Sequence, residues 1–383
     1  MLVGKQSLVA PELFITKTLT IIMRIIFLTI LLLLINFKGG SQVSKIEPGF
    51  SKIEYAELLK ISTRQSDSLY NKELPAPEKF NRIYISQVLG LDNRWELWTS
   101  PDSIAAISIR GTTLKTESWI ENFFAAMLPA SGIIHLSDNQ IYKYHLSNNN
   151  RASVHAGWLI GSLCLFQDIL PKIDSSLSKG INDFYIIGHS QGGAISYLLT
   201  SMLYDLKARD IRYKNLTIKT YASAAPKPGN LYYAYEYEAL TQKGWAFNVV
   251  NSADWVPEGP FSIQTTNDYN TLNPFKYVDE ALKKTSFPKN IILKHVYNQL
   301  DKPTKKAQNK FNKNLGQHMA KQIQNYFPDF KSPTFQESTN YVRVGKTVVL
   351  FADKEYYKVF PNNEGEIWQH HKFEAYFYLL EKL

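Results

Sequence analysis

The sequence predicts an α/β fold with a mainly parallel central sheet and helices on both faces. Three observations lead there. Short apolar runs at residues 104–109, 184–187, 216–222 and 245–250 read as strands covered on both sides. Most of the segments between them carry apolar residues at three- and four-residue spacing, the period of a helix. Strand and helix therefore alternate along the chain, as they do in a parallel sheet joined by crossover helices.

The first residues stand apart from that pattern. Residues 1–22 read as an upstream extension, Met23-Arg24 as a positively charged start, and residues 25–35 as an eleven-residue apolar run. Such a run is short for a membrane span and fits the apolar region of a secretory signal. Lys38-Gly39-Gly40-Ser41-Gln42 supplies small residues for cleavage after Ser41. The expected organisation is a leader and signal over residues 1–41, a single domain over residues 42–383, and a secreted or extracytoplasmic destination.

Within the domain, Tyr55, Leu58, Leu59 and Ile61 suggest a short helix before the Pro75-Ala76-Pro77 break. Residues 82–88 alternate weakly, Trp95, Leu97 and Thr99 alternate clearly, and Ser100-Pro101-Asp102 turns the chain into residues 104–109. That is an antiparallel hairpin feeding the main sheet. Next, Trp119, Ile120, Phe123, Phe124 and Met127 form an apolar stripe, which reads either as core or as part of a lid-like segment near residues 113–151. Leu159, Leu163, Phe166, Leu170, Ile173 and Leu177 mark a helix that Pro171 should bend. A Tyr-rich helix at residues 230–240 separates the last two buried strands. Residues 258–339 show no clear period and are expected to be an insertion, partly helical around 317–327. Residues 341–351 read as a hairpin turning at Gly345-Lys346, and His370-His371 as the start of the final helix.

With 44% hydrophobic and 13% aromatic residues, the chain can bury a large core. Cys164 is the only cysteine, which excludes an intramolecular disulfide, and its place on the apolar side of a helix predicts a buried, inert thiol. The net charge is +9, and the leader's four basic residues against Glu12 leave +6 for the domain. Residues 283–321 hold ten lysines against Asp301 alone. Such a run reads first as a solvated face, with contact with an anionic lipid surface as the alternative. Nucleic acid is not an expected partner, because no reading module or aromatic platform accompanies the lysines.

The stretch around which the domain is organised is Gly188-His189-Ser190-Gln191-Gly192. A Gly-x-Ser-x-Gly pattern arises by chance in about one chain in ten of this length, with Gly and Ser each at roughly 7%. Here it sits between a buried strand and a helix marked by Ile195, Leu198, Leu199, Met202, Leu203 and Leu206, which makes it a strand-to-helix elbow with Ser190 at the apex. The Gln191 amide beside it lies where an oxyanion would form.

A serine hydroxyl is a weak nucleophile and needs a base, oriented in turn by a carboxylate. Asp254 follows the strand at 245–250, at the end of the sheet where open α/β folds build their sites. Of the four histidines after Ser190, His295 and His318 lie in the lysine-rich stretch and are expected on the surface, which leaves His370 and His371 as candidates. Adjacent side chains diverge and no further ligand cluster joins them, so the pair does not read as a metal site. His189 is expected to pack rather than transfer protons.

These residues carry a resemblance. From about residue 104 to residue 380 the chain looks like the class 3 lipase family, which includes fungal triacylglycerol lipases and plant acyl hydrolases. Ile109-Arg110-Gly111-Thr112 resembles the family's strand-end motif, in which the hydroxyl residue belongs to the oxyanion hole. Trp119 and its neighbours resemble the start of the lid, and Val154-His155-Ala156-Gly157 the motif that follows it. The Ser190 elbow comes next, then Ala225-Pro226-Lys227-Pro228-Gly229-Asn230, then Asp254-Trp255-Val256-Pro257 with the family's catalytic acid. His371-Lys372-Phe373-Glu374-Ala375-Tyr376 resembles a His-x-x-x-x-Tyr of plant members, which favours His371 over His370. The resemblance implies an α/β-hydrolase fold and hydrolysis of carboxylic esters, with acyl lipid as the substrate. Ser190, Asp254 and His371 would be catalytic, Thr112 and Gln191 would hold the oxyanion, and no metal or organic cofactor would be needed. The alternatives are a non-catalytic lipid-binding surface protein on the same fold and another acyl-transfer enzyme. The match weakens over residues 258–339, and the lack of disulfides differs from fungal members.

Overall fold

The computed structural model describes residues 23–24, 44–65 and 74–383, so nearly all of the expected signal segment lies outside the described residues. The chain divides into two units, residues 1–43 and residues 44–383, and the second holds the fold.

Its centre is a seven-stranded sheet. In chain order the strands are β1 (Asn81–Ile85), β2 (Trp95–Thr99), β3 (Ile104–Ile109), β4 (Asp183–His189), β5 (Thr217–Ser223), β6 (Ala246–Asn251) and β7 (Lys346–Leu350), and they lie side by side in that order. β1, β2 and β3 pair antiparallel as the hairpin signals predict, and every pair from β3 to β7 is parallel. This is the mainly parallel sheet expected from the alternation of strands and helices, and it is consistent with the α/β-hydrolase fold that the resemblance implies.

The pleat divides the strand residues between two cores. Ala105, Ile107, Phe184, Ile186, Ile218 and Ala222 point to one face, while Ala106, Tyr185, Ile187, Tyr221, Phe247 and Val249 point to the other. The first face is covered by two helices, α3 (Ala156–Ser178) and α4 (Gln191–Arg209). The second is covered by α1 (Lys52–Ser62), capped by Ser51, and by α7 (Phe373–Lys382), through Tyr55, Leu58, Leu59, Tyr376, Leu379 and Leu380. α3 continues through Pro171 as one helix.

The lid-like stripe is divided in the structure. Only α2 (Thr116–Phe123) is helical, and the chain then enters a short strand, Met127–Pro129. Phe123 is 53% exposed, whereas Phe124 and Met127 are fully buried in the core. A hairpin, Ser131–Ser137 with Gln140–His145, fills the rest of that connection. The Tyr-rich helix α5 (Leu231–Leu240) is where expected.

Two other expectations are corrected. Residues 341–351 are not a hairpin. Tyr341–Val342 pairs with Gly229–Asn230 in a separate four-stranded sheet, and β7 joins β6 in parallel. Gly345, at φ +82, turns the chain from one sheet to the other in a conformation that favours glycine. Residues 258–339 are also more helical than their sequence suggests: α6 (Lys289–Asn312) spans 24 residues despite Pro303, and helix continues through a wider turn to Ile323.

Candidate active site

Ser190 sits where β4 meets α4, with φ +61 and ψ −131. Left-handed φ is rare for a residue with a side chain and is held only where the surroundings impose it. The surroundings here are crowded backbone. A Cβ on Gly188 would stand 2.1 Å from the Gly192 carbonyl oxygen, so the strand and helix can approach this closely only without side chains. The same closeness brings the end of β3 to Ser190, because a Cβ on Gly111 would lie 3.5 Å from Ser190 Cβ. Ser190 is therefore flanked by the segment that leads into Thr112 and by the first amide of α4, that of Gln191. Helix-initial amides have no acceptor within their own helix and remain available as donors.

The other two candidates are brought together. His371 Nδ1 lies 2.7 Å from Asp254 Oδ2, and Asp254 is buried. Tyr376 donates its hydroxyl to the same Oδ2 at 2.8 Å, and the Val256 amide donates to Oδ1 at 3.0 Å. Three donors thus fix both oxygens of the carboxylate. Burial, together with the Asp254 charge, pushes the Tyr376 hydroxyl well above its ordinary pKa and keeps it a donor. Because a carboxylate only accepts, Nδ1 of His371 carries the hydrogen and the lone pair is left on Nε2.

A second chain of hydrogen bonds holds the backbone of His371. His189 Nε2 is 2.9 Å from the His371 carbonyl oxygen, so this nitrogen donates, and Nδ1 must accept from Ser223 Oγ at 2.9 Å. Ser223 in turn accepts from Tyr55 Oη at 2.6 Å. Burial, reinforced by His371, lowers the His189 pKa well below the usual value and keeps the ring neutral. The packing role expected for His189 is thus a positioning one, a contact that its place beside Ser190 in sequence does not reveal.

His370 points elsewhere. Its Nδ1 meets Tyr356 Oη at 2.7 Å and its Nε2 meets Asn362 Oδ1 at 2.8 Å, so both ring nitrogens are engaged away from Asp254. His295 and His318 are exposed, as expected. Cys164 is buried, and burial pushes its thiol up to about 12, which makes it a poor nucleophile.

At the residues expected to hold an oxyanion, the Asn122 amide donates to Thr112 Oγ1 at 2.9 Å while its own oxygen accepts from the Trp158 indole at 2.9 Å. That orientation leaves the Thr112 hydroxyl hydrogen free to donate. The Gln191 side chain is held by α2: Ser118 Oγ donates to its oxygen at 3.1 Å, and its nitrogen donates to Glu121 Oε1 at 2.9 Å. Asn93 donates to the other Glu121 oxygen at 2.5 Å. Glu121, Ser118 and Asn122 were not singled out from the sequence. The helix reads Thr116-Glu117-Ser118-Trp119-Ile120-Glu121-Asn122-Phe123, and nothing in that pattern marks Glu121 as turned inward.

Glu121 makes the fold pH-sensitive. Complete burial pushes its carboxyl up to about 8, against the pull of the Asn93 and Gln191 amides. An unfolded glutamate titrates near roughly 4.3. Between these values the unfolded chain has released a proton that the folded chain retains, so stability falls as pH rises through that window. Glu121→Gln should flatten this part of the profile. Thermal unfolding at pH 5 and pH 8 should show a larger drop in Tm for the wild type than for the variant, and equal drops would mean that Glu121 is not held protonated.

Residues 106–263 match the family model described as Lipase (class 3). No curated protein matches the chain. Among solved structures, lipase II from Rhizopus niveus is similar at 23% identity, over 55% of this chain and 74% of that one, with a TM-score of 0.38. Lip2 lipase from Yarrowia lipolytica is similar at 19% identity, over 57% and 78%, with a TM-score of 0.41. A triacylglycerol lipase from Penicillium expansum is similar at 16% identity, over 55% and 74%, with a TM-score of 0.39. His371 lies beyond the stretch that the family model covers. The family that the chain matches is the class 3 lipases, through the stretch that carries Thr112, Ser190 and Asp254.

Proposed function

We propose that the protein is a secreted serine hydrolase that cleaves carboxylic esters of acyl lipids. The observation that carries this reading is the buried Asp254 carboxylate on Nδ1 of His371, whose backbone is bonded by His189, the residue before a serine held at positive φ on a strand-to-helix elbow. In the proposed cycle, His371 Nε2 takes the Ser190 proton as Oγ attacks the ester carbonyl. Asp254 stabilises the imidazolium that results. The Gln191 and Thr112 amides, with the Thr112 hydroxyl, hold the negative oxygen of the tetrahedral intermediate. The imidazolium then gives its proton to the departing alkoxide, leaving an acyl-serine and a free alcohol. Water, deprotonated by the same imidazole, attacks the acyl-serine and releases the carboxylic acid and Ser190. Export through the leader ending at Ser41 is part of the same reading.

In this reading α2 is the cover of the site, with Trp119 and Phe123 as its outer apolar side and Ser118 and Glu121 as its inner, hydrogen-bonded side. The test is a series of p-nitrophenyl esters from about two to sixteen carbons, run beside triacylglycerol and phospholipid emulsions. Hydrolysis that rises sharply once a long-chain ester passes its solubility limit is the expected result. No hydrolysis at any chain length would overturn the enzymatic reading, and smooth saturation through the limit would overturn the cover.

A further inference from the structure

The first three turns of α6 bury no side chain. Every residue from Lys289 to Leu300 is exposed or half-exposed, although the helix continues to Asn312. Most helices in proteins owe their stability to an apolar face packed on something, so a helix that leaves its apolar residues in water lacks that contribution. The apolar residues here are not scattered. Ile292, Val296 and Leu300 follow at four-residue spacing and share one face, with exposures of 59%, 52% and 67%. Leu293 extends that face, and Phe287, 78% exposed, stands just ahead of the helix.

The second half of α6 ties it to the domain. Asp301 accepts from Thr266 Oγ1 at 2.6 Å and from Lys305 Nζ at 3.0 Å, and Phe311 is buried. The Ala126 amide donates to the Leu315 carbonyl at 2.9 Å just beyond the helix. The protruding half is therefore mounted on a fixed base.

Charge identifies what covers the face. Lys283, Lys284, Lys289, Lys294, Lys302 and Lys306 are all exposed along this stretch, Lys289 on the side of the stripe and Lys294 and Lys302 on the opposite, polar side of the helix, and Asp301 is the only acid between residues 283 and 321, after Asp279 and Glu280. A second copy of this chain would bring lysines against lysines. Nucleic acid would leave the aliphatic stripe unused, since Ile, Val and Leu offer no platform for stacking bases. An anionic lipid surface satisfies both components, because the acyl region takes the apolar stripe and the headgroups take the lysines. Among the described residues no helix is apolar and long enough to cross a membrane, so the helix would lie in the interface.

We infer that α6 docks this protein on anionic lipid surfaces, its Ile292–Val296–Leu300 stripe entering the acyl boundary and its lysines contacting the headgroups. The purpose rests on the lipid-ester reading, since docking would carry the site to its substrate, but the docking itself needs no catalysis. The experiment uses full-length Ser190→Ala protein, so that hydrolysis cannot alter the vesicles. Co-sedimentation is measured with phosphatidylcholine vesicles and with vesicles containing about one-third phosphatidylserine.

Binding should be at least about tenfold tighter to the anionic vesicles, and that preference should fall steeply with added salt. Ile292→Ser with Val296→Ser and Leu300→Ser should remove most of it, as should Lys294→Glu with Lys302→Glu and Lys306→Glu. Built with Ser190 intact, the same variants should retain hydrolysis of a soluble short-chain ester, which separates loss of docking from loss of the site. Equal binding to both vesicles, or a preference unchanged in either triple variant, would overturn the inference. So would a stripe covered by a self-associated oligomer or occupied by a protein or nucleic acid in preference to anionic vesicles.

Discussion

Ser190→Ala is expected to abolish ester hydrolysis while leaving the protein folded. The fold should survive because alanine keeps a Cβ where serine has one, so the constraint at φ +61 is unchanged. The Ser190 side chain makes no cap hydrogen bond to α4, so little stability is lost with the hydroxyl. Catalysis should not survive, because the covalent intermediate has no other atom to form on. Cys164 is buried, with its thiol pushed up to about 12. Loss on the order of 10⁶-fold in kcat is the scale for removing a nucleophile that works with a base and an oxyanion hole. A fluorophosphonate probe, which reacts with activated serines, should label the wild type and fail to label the variant. Labelling that persists in Ser190→Ala, with the circular dichroism of the wild type, would place the nucleophile elsewhere.

Much of this site was legible because its residues are read by local rules. The elbow is a short pattern between an apolar run and a periodic helix, and close backbone packing explains its glycines without any knowledge of the rest of the chain. Asp254 was legible for a similar reason: it follows a buried strand at the end of the sheet where sites are built. The contacts that hold these groups are different in kind. Tyr55 and Ser223 lie 168 residues apart, and His189 reaches the carbonyl of a residue 182 positions away. No periodicity records such a contact.

Glu121 illustrates another limit. An acid on an amphipathic helix reads as solvent-facing, and only the structure shows it turned inward to Asn93 and Gln191. The hairpin expected at residues 341–351 failed because its two strands find other partners, one in the small sheet and one beside β6, a choice made by tertiary packing rather than by the turn. In α6 the period was present in Ile292, Val296 and Leu300. It was obscured by Pro303 and by lysines at many of the remaining positions.

His371→Ala should cost about 10³-fold or more in kcat, the scale of a lost triad member, whereas His370→Ala should cost far less. The two residues are adjacent and chemically identical, so the difference is one of environment. His371 presents Nδ1 to a carboxylate whose oxygens are also held by Tyr376 and the Val256 amide, which fixes both its tautomer and its ring orientation. Its Nε2 is left with the lone pair that proton abstraction requires. His370 has both nitrogens engaged, one by Tyr356 and one by Asn362, and burial lowers its pKa. Removing the His370 ring costs these two hydrogen bonds, about 1 kcal/mol each in stability. The backbone carbonyl of His370, which accepts from Asn251, remains in place. His370→Ala should therefore lower Tm more than it lowers kcat, and His371→Ala should do the reverse. Parallel measurement of kcat, KM and thermal unfolding for both variants distinguishes the roles. If His370→Ala loses the activity and His371→Ala keeps it, the base is His370 and the Asp254 contact is structural.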